Sequence, residues 1–94
     1  MNVEQFKKEI EGKKVLVDFY AQWCGPCKMM MGVLGELESE GHNILKIDIE
    51  ESPELTKEYG VMSVPTLILF KDGEPFKQVT GFQPKELLED LLAQ

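Results

Sequence analysis

Apolar residues recur along this chain in two rhythms, one helical and one extended. Val3, Phe6 and Ile10 share the face of a helix, with Asn2 placed to cap it and Gly12 to stop it. The next run, VLVDFY from Val15 to Tyr20, is apolar almost throughout and predicts a strand covered on both faces. Cys27, Met30, Met31, Leu34 and Leu37 then trace a second helical stripe that ends before Gly41. ILKIDI, from Ile44 to Ile49, alternates as a strand does. SPELTKEYG predicts a short helix capped by Ser52, with Pro53 in its first turn and Gly60 after it. TLILF (Thr66 to Phe70) and FKQVT (Phe76 to Thr80) flank Asp72-Gly73, a strong hairpin signal. Leu87, Leu88, Leu91 and Leu92 form the apolar face of a closing helix opened by Pro84.

The predicted order is helix, strand, helix, strand, helix, hairpin, helix. A right-handed crossover makes the first two strands parallel, and the hairpin adds an antiparallel half. The expected fold class is therefore α/β, a mixed four-stranded sheet with helices on both faces. No repeat, low-complexity tract or linker interrupts the chain, so residues 1–94 are read as one domain.

Charge narrows the partners. Ten Lys and Arg against seventeen Asp and Glu give a net charge of -7. That balance repels phosphate backbones and anionic lipid, so neither nucleic acid nor a membrane surface is an expected partner. MNVEQFKKEIEG carries no apolar signal-peptide core, and no stretch reaches the roughly 18 apolar residues of a membrane span. A cytoplasmic location is expected.

The only two cysteines stand together in WCGPCK, Trp23 to Lys28. A permanent staple is not expected in a reducing compartment, and so small a ring removes little chain entropy. A redox couple and half of a metal site remain. A structural zinc needs four ligands, and the sole histidine, His42, sits in a polar turn where a solvent-facing side chain is expected. A metal site completed between two chains stays open as the alternative; none is expected within one chain. As a redox couple the two thiols have distinct parts. Cys24 falls at the helix N-terminus, where unpaired N–H groups and nearby Lys28 favour a thiolate, so it is the expected nucleophile. Cys27 lies one turn deeper on the same face and is the expected resolving thiol.

Three further positions bear on that chemistry. A carboxylate within VLVDFY is anomalous, because a covered strand should exclude charge. Asp18 either points to water from a strand end or lies buried below the cysteines, where desolvation would raise its pKa and let it relay a proton for Cys27. Lys46 interrupts the apolar side of ILKIDI beside Asp18 and is its candidate partner. Val64-Pro65-Thr66 precedes the TLILF strand, and the sequence does not choose the isomer of Pro65. The run Met29-Met30-Met31 is read as core packing rather than a soft-metal site. A groove that binds without turnover is the rival reading, but such a role needs no thiols.

Taken together, Trp23-Cys-Gly-Pro-Cys27, the VDFYAQW lead-in, Val64-Pro65-Thr66 and Phe70-Lys-Asp-Gly73 resemble the thioredoxin family, its WCGPC type, over nearly the whole chain. The resemblance implies a protein-disulfide reductase cycling between a Cys24–Cys27 dithiol and disulfide, with no bound cofactor. It implies Asp18 as buried proton relay, Lys46 as the lysine near that acid, and Pro65 as a cis-proline facing the disulfide. Trp23, Gly25 and Pro26 would shape the site, while Val64 and Gly81 would flank the substrate groove. Implied partners are disulfide-containing proteins and a flavin-dependent thioredoxin reductase carrying electrons from NADPH. Gly25-Pro26 adds no positive charge between the cysteines and Asp18 adds negative charge below, so a reductant is expected.

The sequence departs from the family pattern in two places. The family's first edge strand is missing, so ILKIDI is expected at an open edge guarded by Lys46, Asp48 and Glu50, with the domain still monomeric. Gly32 and Gly35 stand near the place where the family often has a kinking proline, and imply a bend or a close contact.

Overall fold

The computed structural model describes residues 1–94. Helix α1 (Val3–Ile10) leads into β1 (Lys14–Tyr20), α2 (Gly25–Ser39) and β2 (Ile44–Asp48). Then follow α3 (Pro53–Glu58), β3 (Thr66–Lys71), β4 (Glu74–Thr80) and α4 (Lys85–Leu92). The strands lie in the order β2-β1-β3-β4. β1 runs parallel to β2 and antiparallel to β3, which pairs antiparallel with β4. The predicted mixed four-stranded sheet is present, and its most apolar strands are the two central ones.

Local chemistry sets several boundaries. Asn2 and Gln5 form a reciprocal cap: Asn2 Oδ1 accepts from the Gln5 N–H at 2.8 Å, and the Asn2 N–H donates to Gln5 Oε1 at 3.0 Å. At the hairpin, Asp72 and Gly73 take φ of 51° and 84°, the paired left-handed geometry that suits the twist of two-residue turns. Ser52 makes no side-chain cap for α3, contrary to expectation; its hydroxyl instead accepts from the N-terminal amine. Leu87 is 41% exposed, so only Leu88, Leu91 and Leu92 form the inner face of α4. Spacings of three and four gather these leucines on one side, with Leu87 at the margin of the stripe, about 100° around from Leu88 at ~3.6 residues per turn.

The sheet divides the interior in two. Val15, Val17 and Phe19 of β1 pack with Phe6, Ile10, Ile47, Leu55, Ile68 and Phe70. Leu16, on the opposite face, packs with Met30, Leu34 and Leu37 of α2, with Leu67 and Leu69, and with the α4 leucines. β1 is thus apolar in successive residues because both its faces are covered. Each fully buried large side chain contributes about 1.5–3 kcal/mol. Met30 belongs to this core, Met31 is half-buried, and Met29 is exposed, so the methionine run is core packing only in part.

Two readings of the family departures change. β2 does lie at a sheet edge, with Lys46 and Glu50 exposed. Asp48, however, is buried and accepts from Gln22 Nε2 at 3.2 Å and from the Glu50 N–H at 2.8 Å, so it does not guard that edge. Gly32 and Gly35 have nothing within 4 Å of where a Cβ would stand. A close contact is not what they serve.

Candidate active site

β1 ends at Tyr20, and a tight turn delivers the chain to α2, the Cys24 N–H donating to the Ala21 carbonyl at 3.2 Å. Cys24 is the N-cap of α2, extended at φ -90° and ψ 113°, and its Sγ accepts from the Cys27 N–H at 3.2 Å. Pro26 fits the first turn, where a missing N–H costs nothing. No acidic residue occupies that turn, so nothing competes with sulfur for the positive end of the helix.

Cys24 and Cys27 are joined as a disulfide, their Cα atoms 5.2 Å apart. Cys24 is 5% exposed and Cys27 1%. Cys27 is the deeper of the two, as expected, but Cys24 is also buried and less open than the sequence reading assumed. With Ala21 they form a third small cluster, against which Tyr20, Ile49 and Val64 pack.

The structure brings several expected site residues together. The Val64–Pro65 bond is cis, as the resemblance implied. The Pro65 carbonyl accepts from the Gly81 N–H at 2.8 Å, tying the loop after β4 to the loop before β3. Gly81 has φ of 81°, a conformation that a side chain would strain. Trp23, Gly25 and Pro26 are exposed beside the disulfide, Trp23 by 67%. Apolar Met62 and Phe82 are also exposed, adjoining the Val64–Pro65 step and Gly81.

Asp18 is fully buried, which removes the reading of a strand end in water. It sits on the same face of β1 as Leu16 and Tyr20, and neither carboxyl oxygen has a hydrogen-bond partner. Burial pushes its pKa from 3.8 to about 7, with the positive charge of Lys46 pulling the other way. Lys46 does pair with Asp18 in the β1–β2 register. Its ammonium, though, is 3.3 Å from Glu38 Oε1, and it forms no ion pair with Asp18, its candidate partner. A charge at the sheet edge is better solvated beside Glu38 than within an apolar interior. His42 also departs from expectation: it is half-buried and lines a hollow with Glu9, Lys13 and Asn43. No three His, Cys, Asp or Glu side chains are grouped so as to hold a metal.

Sequence reasoning missed Tyr20, Gln22 and Ile49 beside the site, and placed Asp48 at the sheet edge instead. Tyr20 shares a strand face with Asp18, two residues on, so strand alternation could have found it. Burial raises its hydroxyl pKa, and Asp48, Glu51 and Asp18 add to the effect. The Gln22–Asp48 contact had no local signal.

The model of the Thioredoxin family matches residues 1–94. A thioredoxin of Alicyclobacillus acidocaldarius subsp. acidocaldarius is 54% identical over 93 residues, spanning 94% of this chain and 88% of that protein. A thioredoxin of Staphylococcus epidermidis is 53% identical over 90 residues, spanning 93% of this chain and 86% of that protein. Among solved structures, a mutant thioredoxin from Halobacterium salinarum superposes with a TM-score of 0.84 at 42% identity. That match covers 93% of this chain and 77% of the other.

Proposed function

The chain belongs to the thioredoxin family and is a protein-disulfide reductase; we propose that Cys24 is its nucleophile, Cys27 its resolving thiol and Asp18 its proton relay. The observation that carries the assignment is a disulfide at a helix N-terminus on the same side of the sheet as a buried carboxyl without a partner.

In the dithiol form the Cys24 thiolate attacks one sulfur of a substrate disulfide. A Cys24–substrate bond forms, the substrate bond breaks, and the first substrate thiolate leaves and takes a proton from solvent. Asp18, ionised, accepts the proton of the Cys27 thiol. The Cys27 thiolate attacks Cys24 Sγ, which closes the Cys24–Cys27 disulfide and expels the second substrate thiolate. Asp18 gives up the proton it took from Cys27 as the second substrate thiolate is protonated, so the substrate gains two electrons and two protons, and no bound cofactor enters the scheme. A pKa of about 7 suits Asp18 to both halves of this exchange near neutral pH.

Trp23, Met62, Val64 and Phe82 supply an apolar rim on which a protein substrate docks, while Gly25, Pro26, Pro65 and Gly81 leave backbone close to the sulfurs. The substrates are proteins with accessible disulfides, and re-reduction falls to a flavin-dependent thioredoxin reductase drawing on NADPH. No helix is long and apolar enough to cross a membrane. We read residues 1–94 as one monomeric cytoplasmic domain. Lys46 acts on the site through Asp18 rather than by touching substrate.

Trapping tests the scheme. Cys27→Ser should accumulate adducts with disulfide proteins that dithiothreitol releases, whereas Cys24→Ser should accumulate none. Adducts that depend on neither cysteine, or their absence with any disulfide substrate, would overturn the assignment.

A further inference from the structure

Lys46 stands opposite one carboxylate in the sheet, Asp18, and contacts another from α2, Glu38. β1 and β2 pair in parallel, with Leu16 opposite Ile44 and Asp18 opposite Lys46. Ile44 packs with the Leu16 cluster, so this is the face of the sheet covered by α2 and α4. Glu38, near the end of α2, overhangs the same edge and takes the Lys46 ammonium at 3.3 Å. The side chains of Lys46 and Glu38 are 35% and 45% exposed. Asp18 has no exposure and no partner.

We infer that Glu38 is a positioning residue for the buried acid: by pairing with Lys46 it draws away the one ammonium that the sheet sets beside Asp18. The other elements offer no substitute. From the site end come Tyr20 and Cys27, neither of them cationic. β3 places Leu67 opposite Asp18. The buried face of α4 is Leu88, Leu91 and Leu92. Asp48, two residues beyond Lys46 on the same face of β2, adds only negative charge, so Lys46 is the one cation whose charge bears on Asp18, and a second carboxylate competes for it.

The competition is reversible, because a pair between exposed groups is weak. While Asp18 is protonated, nothing draws the lysine inward and it stays with Glu38. Once Asp18 ionises, its charge in a low-dielectric interior pulls on the same ammonium. Glu38 resists that pull, keeping the carboxylate a better base for the Cys27 proton than it would be with a lysine at hand. The kinetic consequence rests on the proposed relay; the effect on Asp18 itself does not.

The test follows the Asp18 carboxyl carbon by NMR through a pH titration of the oxidised protein. Glu38→Gln should lower the Asp18 midpoint by about half a pH unit, because the freed ammonium turns inward. Lys46→Met should raise it. In the Lys46→Met background, Glu38→Gln should have no further effect, the signature of action through the lysine. An unmoved midpoint in Glu38→Gln overturns the inference. So does an equal shift with and without Lys46, which would mean that the glutamate acts directly through space. Rates of disulfide reduction against pH read the other link. If the midpoint moves and the rate profile does not, the inference stands and the relay reading falls.

Discussion

Replacing Asp18 by asparagine should stabilise the oxidised protein, and by an amount that depends on pH. The wild-type carboxyl is wholly buried, its oxygens have no partners, and its pKa is raised from 3.8 to about 7. Between those two values the folded chain holds a proton that the unfolded chain has released. Raising the pH therefore favours unfolding, at about 1.4 kcal/mol for each pH unit. Across the whole window, about 3 pH units, the loss reaches roughly 4 kcal/mol, and above pH 8 it grows no further. Asparagine has nearly the shape of the protonated acid but cannot ionise. The variant should match the wild type near pH 4 and exceed it progressively to about pH 8, by up to roughly 4 kcal/mol. Guanidinium unfolding of both oxidised proteins, followed by far-UV circular dichroism from pH 4 to 9, measures the difference directly. Stability curves that stay parallel over this range would refute the reasoning, since the carboxyl would then titrate alike folded and unfolded. On the proposed relay, the same variant should also reduce disulfides more slowly near neutrality.

Other substitutions test other parts of the structure. Asn2→Ala removes the reciprocal cap with Gln5 and should cost about 1 kcal/mol, read as a lower denaturation midpoint with an unchanged m-value. Gly32→Ala and Gly35→Ala lie in the interior of α2 with open space around each position. Each should gain about 0.5–1 kcal/mol in the same assay, and a loss at either would reveal a contact or bend that needs glycine.

What the sequence conveyed well was whatever a few neighbouring residues decide. The unbroken apolar run of β1 announced a strand buried on both faces, and the one carboxylate within it stood out as an anomaly that proved to be buried. Asp72-Gly73 fixed a hairpin because few residue pairs accept two positive φ angles. WCGPCK fixed a helix start because proline and cysteine both suit that position. Less legible was anything set by the choice of a long side chain among distant partners. Lys46 selects Glu38 over Asp18 across two elements, and only their packing reveals the option. Ser52 had the composition of a cap but found the N-terminal amine instead. Leu87 and Met29 belong to apolar runs whose helices turn those positions outward, a matter of phase that composition cannot settle. Asp48 looked like a guard for an exposed edge, yet bonds from Gln22 and Glu50 hold it inside.

The small cluster around the sulfurs joins the larger interior beneath α1 through half-buried Ile49, and the two residues between the cysteines face outward. Gly25 has open space around it and an ordinary backbone angle. Of the dipeptide between the cysteines, Pro26 helps to start α2, while Gly25 leaves room for a side chain. A side chain of either charge could be written at Gly25 to retune how eagerly the sulfurs part with electrons, with open space to receive it.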